Sequence, residues 1–166
     1  MPRLKSPMSS NPSGADSRRP SPTHGRRGAR RLAVQAIYQW LVAGGRAAPL
    51  AADFLAEPGA AKLDREYFHA LTVTAIKEAE ALDALLASAL DRAPAELDPV
   101  EHAVLLVGTV ELRDHYELAV PIVVNEAVEL AKTFGAEGGQ RYVNGVLDRL
   151  AVKLRSGGRK ASDGGG

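Results

Sequence analysis

The sequence contains no cysteine. That excludes disulfides, thiolate-bound zinc or iron–sulfur centres and a cysteine nucleophile, and it fits a reducing cytoplasm. No apolar run approaches the ~18 residues of a membrane span, and the first residues lack the ~7–15-residue apolar core of a secretory signal. The four histidines at 24, 69, 102 and 115 show neither HxxxH nor HExxH spacing, so no metal site is expected. His69 and His102 are expected at the surface or its boundary, because the apolar stripes of their helices avoid them. A GxxxxGKS/T phosphate loop is missing, as is a GxGxxG between a strand and a helix. Gly135-Ala-Glu-Gly-Gly139 matches a glycine-rich loop in composition only and joins two helical stretches. Neither catalysis nor a cofactor is expected.

What the chain does have is a lopsided charge. Its 166 residues carry a formal net charge of only +1. Residues 1–31 hold eight basic side chains and one acidic, a net +7, whereas residues 32–155 hold eleven basic and eighteen acidic, a net −7. A basic arm precedes an acidic body. Residues 1–25 are rich in proline and serine, and residues 156–166 contain five glycines. Both segments are too poor in apolar surface to offset their ordering entropy and are expected to be disordered. Residues 26–155 are expected to form one domain.

That domain reads as helix nearly throughout. Alanine and leucine dominate, no alternating strand-like run persists, and glycine or proline falls between segments. A first helix is expected from about Arg26 to Ala43, stopped by Gly44-Gly45, and a short one around Leu50–Ala56. A long one follows the cap Asp64 and carries Phe68, Leu71, Ala75, Ala79, Leu82, Leu86 and Ala89 at helical spacing. Asp98-Pro99 caps and opens another helix, whose apolar centre, Ala103 to Val107, implies burial on every side. Pro121 opens the next, ending at Phe134-Gly135. The last carries Val143, Val146, Leu147, Leu150 and Leu154 on one stripe. The fold class is all-α, with six or seven helices.

The first helix carries the functional signal. Advancing ~100° per residue from Ala33 puts Ala29, Ala36, Ile37, Trp40 and Leu41 on one core-facing stripe. Arg27, Arg31, Gln35 and Tyr38 then share a sector of about 80° turned away from it. Arg26 and Arg30 fall nearer the stripe, but at the N-terminal end, where the helix can project beyond the body. Guanidinium groups, an amide and an aromatic ring together suit single-stranded RNA, through phosphate contacts, base-edge hydrogen bonds and stacking. The alternative is a solvated arginine cluster with Tyr38 packed on a neighbouring helix, or a basic arm resting on acidic protein surface. On the helix from Pro121, Asn125, Glu126, Glu129, Lys132 and Thr133 share a polar half. Glu129 and Lys132 stand at the spacing of an ordinary exposed ion pair.

Ala33-Val-Gln-Ala-Ile-Tyr38 after the arginine cluster resembles the start of the NusB family of bacterial transcription antitermination factors. The likeness continues through Glu101-His-Ala-Val-Leu105 and Tyr116-Glu-Leu118. It is most specific over Val120-Pro-Ile-Val-Val-Asn-Glu-Ala-Val-Glu-Leu-Ala-Lys-Thr-Phe-Gly135 and Arg141-Tyr-Val-Asn-Gly-Val-Leu-Asp148. It implies a bundle of about seven helices in two small helical subdomains and no enzymatic activity. It further implies binding to boxA RNA of ribosomal RNA operon leaders together with the ribosomal protein NusE, and read-through by RNA polymerase. The family's arginine-rich start matches Arg26, Arg27, Arg30 and Arg31, and Tyr38 and Glu101 match positions that it uses at or near the RNA surface; with Gln35 from the outward sector, these are the expected RNA-binding residues. NusE contact is expected on the polar face with Glu126 and Glu129, which the Glu129–Lys132 pair explains equally well. A second reading is an all-α protein–protein adaptor, or the helical domain of a split ribosomal RNA methyltransferase. Self-association stays open, because the Ala33–Trp40 face can close a core or a dimer.

Overall fold

The apolar residues at three- and four-residue spacing form helix throughout the described residues, which are 22–135 and 137–156 of this computed structural model. Among them are seven α-helices and no strand: α1 Pro22–Ala43, α2 Ala47–Leu55, α3 Arg65–Lys77, α4 Ala79–Ala87, α5 Pro99–Asp114, α6 Val120–Phe134 and α7 Gly139–Ala151. Short 3-10 turns, Pro58–Lys62 and Pro94–Glu96, precede α3 and α5, and Val152–Ser156 prolongs α7 as a π turn. The all-α expectation holds. The tails expected to be disordered lie outside the described residues, apart from 22–25 and 156.

Local chemistry sets most boundaries. Asp64 accepts a hydrogen bond from the Tyr67 amide at 3.0 Å and so caps α3. Asp98 does the same for Val100 at 2.9 Å, with Pro99 opening α5; each such cap contributes about 1 kcal/mol. At the end of α1, Gly44 and Gly45 take φ of 76° and 114°, a left-handed turn that side chains disfavour.

Two boundaries differ from the sequence reading. Residues 22–25, expected within the tail, are the first turn of α1. The Asp64 amide donates to the Gly25 carbonyl at 3.0 Å, which pins that turn to the start of α3, and Pro22 suits a helix's first position. The long helix after Asp64 also breaks, at Glu78 (φ −111°, ψ 22°), into α3 and α4. Apolar periodicity runs through the break unchanged, so the pattern does not reveal it. The break lets α3 pack on α1 and α4 on α7 while both remain against α5. Arg113 of α5 fixes it through an ion pair with Glu78 at 2.9 Å.

Helix α5 is the centre. Every residue from His102 to Leu112 is buried, as its apolar run implied. His102 is no surface residue: its Nε2 lies 2.7 Å from Asp83 of α4, a partner that makes burial tolerable. Helices α1, α3, α4, α6 and α7 all pack on α5, with α2 against α1 and α3, and they share one apolar core. The far end of α5 is closed by Arg155. Its guanidinium donates to the carbonyls of Leu112 at 2.8 Å, Leu118 at 3.0 Å, His115 at 3.2 Å and Glu111 at 3.3 Å, at the helix terminus and the turn after it; those of Glu111 and His115 also accept from the amides of His115 and Leu118. No helix among the described residues is long and apolar enough to cross a membrane.

Helices α5 and α7 approach so closely at Gly108 that a Cβ there would stand 2.9 and 3.1 Å from the two methyls of Leu147. Leu147 is fully buried and has little room to move. Gly108→Ala is therefore expected to lose about 1–3 kcal/mol of stability through overpacking, read as a lower midpoint in chemical denaturation.

Candidate nucleic-acid interface

Helix α1 presents three distinct environments. Ala29, Ala33, Ala36 and Ile37 are wholly buried, so the stripe derived from periodicity is the real one. Arg27, Arg31, Gln35 and Tyr38 are exposed on the opposite side, with 41% of Tyr38 open to solvent. The structure thus brings together four of the residues singled out for RNA.

Arg30 has gone elsewhere, and this corrects the expectation that it projects from the body. It is only 3% exposed. Its Nε donates to Glu111 of α5 at 2.7 Å, and its Nη1 lies 3.5 Å from Glu126 of α6. The Tyr67 hydroxyl of α3 donates to the same Glu111 oxygen, and the Arg30 guanidinium lies 5.7 Å from the Tyr67 ring centre. Burial works against the Arg30 charge, yet the adjoining Glu111 carboxylate outweighs it and holds the guanidinium above its ordinary pKa. Burial, and then the same carboxylate, push the Tyr67 phenol far above its ordinary range. An RNA phosphate has no access to this arginine.

Arg26 is intermediate. Its guanidinium sits 4.4 Å above the Tyr67 ring and 3.8 Å from Glu117, so it braces the α5–α6 turn while remaining a third exposed. Glu126 differs from its expected role too. Its Oε2 accepts from Arg27 at 3.0 Å and its Oε1 faces Arg30, so the carboxylate points at α1, not at an outside partner. Glu129 is exposed and pairs with Lys132 at 3.3 Å, the ordinary ion pair its spacing allowed.

Several hollows among the described residues border the outward sector. A groove of about 530 Å³ between α1 and α6 has Arg27 and Arg31 on one wall and Asn125, Glu126, Glu129 and Thr133 on the other. Beyond Arg31, a hollow of about 290 Å³ runs to the 3-10 turn before α3 and is lined by Gln35 and Lys62. A third, of about 430 Å³, is mostly apolar and collects Val34, Tyr38, Val42, Phe54, Val100 and Phe134. Glu101 adjoins Val100 and faces the start of α7: a Cβ on Gly139 would stand 2.6 Å from its Oε2. A larger residue there would require the Glu101 carboxylate to shift. Burial, and then the nearby Asp98 carboxylate, raise the Glu101 pKa. Among the described residues no cluster of three or more potential metal ligands occurs.

Sequence reasoning missed Tyr67, Glu111 and Lys62. Glu111 had a visible signal, being a lone acid inside the apolar stretch of α5. Lys62 had none, since only the fold brings its turn beside α1.

The family model for the NusB family matches residues 27–152. The chain belongs to the NusB family. One relative, the transcription antitermination protein NusB of Paraburkholderia phymatum, is 49% identical over 130 residues, covering 78% of this chain and 90% of the relative. Among solved structures, T. maritima NusB superposes with a TM-score of 0.65 at 24% identity, covering 76% of this chain and 89% of that one. A structure of antitermination factors NusB and NusE in complex with dsRNA gives 0.64 at 27% identity, covering 76% and 95%. The helical architecture is thus that of the NusB family.

Removing one partner from the buried cluster should be costly. Glu111→Ala takes the Nε partner from buried Arg30 and leaves it only the 3.5 Å contact with Glu126, an expected cost of up to about 3–5 kcal/mol, whereas Arg27→Ala at the surface should cost less than about 1 kcal/mol. Equilibrium unfolding of the two variants separates them.

Tyr67 gives a pH signature. Its folded pKa lies above the ordinary 10.0, so the unfolded chain loses this proton first as pH rises. The Tyr67 contribution to stability is therefore fully present below pH 10.0 and declines above it. Ultraviolet titration should show one tyrosine ionising only as the fold is lost, a component absent from Tyr67→Phe.

Proposed function

We propose that this chain is an RNA-binding transcription antitermination factor. It binds single-stranded boxA RNA from ribosomal RNA operon leaders, together with the ribosomal protein NusE, and promotes read-through by RNA polymerase in the cytoplasm. The observation that carries this reading is the exposed sector of α1. Arg27 and Arg31 supply cationic forks for phosphates, Gln35 supplies an amide for base edges, and Tyr38 supplies a half-exposed ring for stacking. Family membership supports an RNA-binding reading, since a structure of antitermination factors NusB and NusE in complex with dsRNA shares this fold. Glu101 borders the far end of the surface beside Gly139, and Arg26 contributes at its near end. Arg30 serves by fixing α1 and makes no RNA contact.

The basic residues upstream of α1 add phosphate attraction without sequence preference. NusE, a ribosomal protein of basic character, meets the acidic body through complementary charge, with exposed Glu129 as a contact. The reading is a binding function with no bond made or broken.

The test is affinity for a boxA-like single strand and for a scrambled strand, with and without NusE. The boxA-like strand should bind more tightly, and the gap should widen with NusE. Equal affinity for both strands in the presence of NusE would overturn sequence recognition. Substituting Arg27 and Arg31 together by alanine should weaken binding. It should also reduce the slope of log affinity against log salt by about 0.7 for each phosphate that is no longer neutralised.

A further inference from the structure

The two arginines on the outward sector stand in different states. Arg31 forms no ion pair with any described residue, although it lines the α1–α6 groove. Arg27 lines the same groove, but its Nε is already engaged by Glu126 at 3.0 Å. The two ends of that pair are unequally placed. The Arg27 side chain is 60% exposed, whereas that of Glu126 is 14% exposed. The other Glu126 oxygen remains against Arg30, 3.5 Å away, and Arg30 is in turn held by Glu111. Breaking the Arg27–Glu126 pair therefore leaves no buried charge without a partner. The pair is dispensable to the fold, and its cation already faces open groove.

A carboxylate accepting from a guanidinium Nε occupies the position that a phosphate oxygen would take. Resting on the RNA-binding reading above, we propose that Glu126 is an internal substitute for phosphate. It holds Arg27 in the free protein and yields it to the RNA backbone on binding. RNA meets Arg31 first, because that cation has nothing to release, and Arg27 exchanges one anion for another. Each binding event then carries the cost of breaking one exposed ion pair. An exposed pair is worth about 0.2–1 kcal/mol, so its competition lowers RNA affinity about 1.5- to fivefold. Because the competitor acts on a phosphate contact, its effect does not depend on base sequence.

The inference is tested by Glu126→Gln in the full chain, with binding measured for a boxA-like single strand and its scrambled counterpart. Both affinities should rise by the same factor, about 1.5- to fivefold. Repeating the substitution in an Arg27→Ala background closes the double-mutant cycle, and there the gain should disappear. A gain of equal size without Arg27 would mean that general repulsion of RNA had been relieved, and would overturn the inference. Failure of the unsubstituted protein to bind either strand would overturn the proposed function as well. Normal RNA binding with no gain in Glu126→Gln would overturn this inference alone.

Should Glu126→Gln fail to fold, the unsubstituted protein still gives a readout. In nuclear magnetic resonance, the Arg27 Nε–H signal should shift on saturation with RNA while that of Arg30 stays in place. An Arg27 signal unchanged at saturation would overturn the exchange.

Discussion

The buried pair between Arg30 and Glu111 decides how the first helix lies against the rest of the protein. A guanidinium and a carboxylate withdrawn from water are tolerated only with near-complete hydrogen bonding, and here that demand draws on four helices. Arg30 comes from α1, Tyr67 from α3, Glu111 from α5 and Glu126 from α6. With Arg30 turned inward, helical geometry turns Arg31 outward and leaves Arg27 at the groove edge. The orientation of the exposed sector is thus a consequence of one interior pair. Such a pair adds less net stability than apolar packing of similar volume would. Its contribution is direction, since the pair forms only with Arg30 facing α5 and α6.

Much of this was legible in the sequence, for identifiable reasons. Alanine-rich stripes, Asp64, Asp98-Pro99 and Gly44-Gly45 act over a few residues, and local rules suffice to read them. The outward sector of α1 was legible for the same cause, because ~100° steps place Arg27, Arg31, Gln35 and Tyr38 without reference to any other helix. Arg30 was misread because its partner lies 81 residues away. Charge predicts exposure unless a matching charge waits in the interior, and nothing nearby in the chain reveals that match. The break at Glu78 was hidden differently, since both halves of the long apolar pattern are buried and only their neighbours change.

The near-neutral charge also has a structural meaning. Within the described residues, the arginines of α1 and the acids of α6 and the α5–α6 turn face one another across narrow hollows. Opposite charges are thereby concentrated along one seam of the molecule. Each α1 arginine has a separate role set by depth: Arg30 interior, Arg26 stacked on Tyr67, Arg27 lightly held, Arg31 in no ion pair with a described residue. A count of basic residues does not distinguish these, although their chemistry is identical.

The clamp that Arg155 places on four carbonyls has an implication for synthesis. Helix α5 is the hub, yet the side chain that closes its end is encoded some forty residues later. In the growing chain α5 precedes α6 and α7, which cover part of its buried stretch from His102 to Leu112. It must wait for α6, α7 and the π turn before it can become the interior. Arg155 thus ties the π turn back to the end of the central helix, a closure that needs α6 and α7 to be made first.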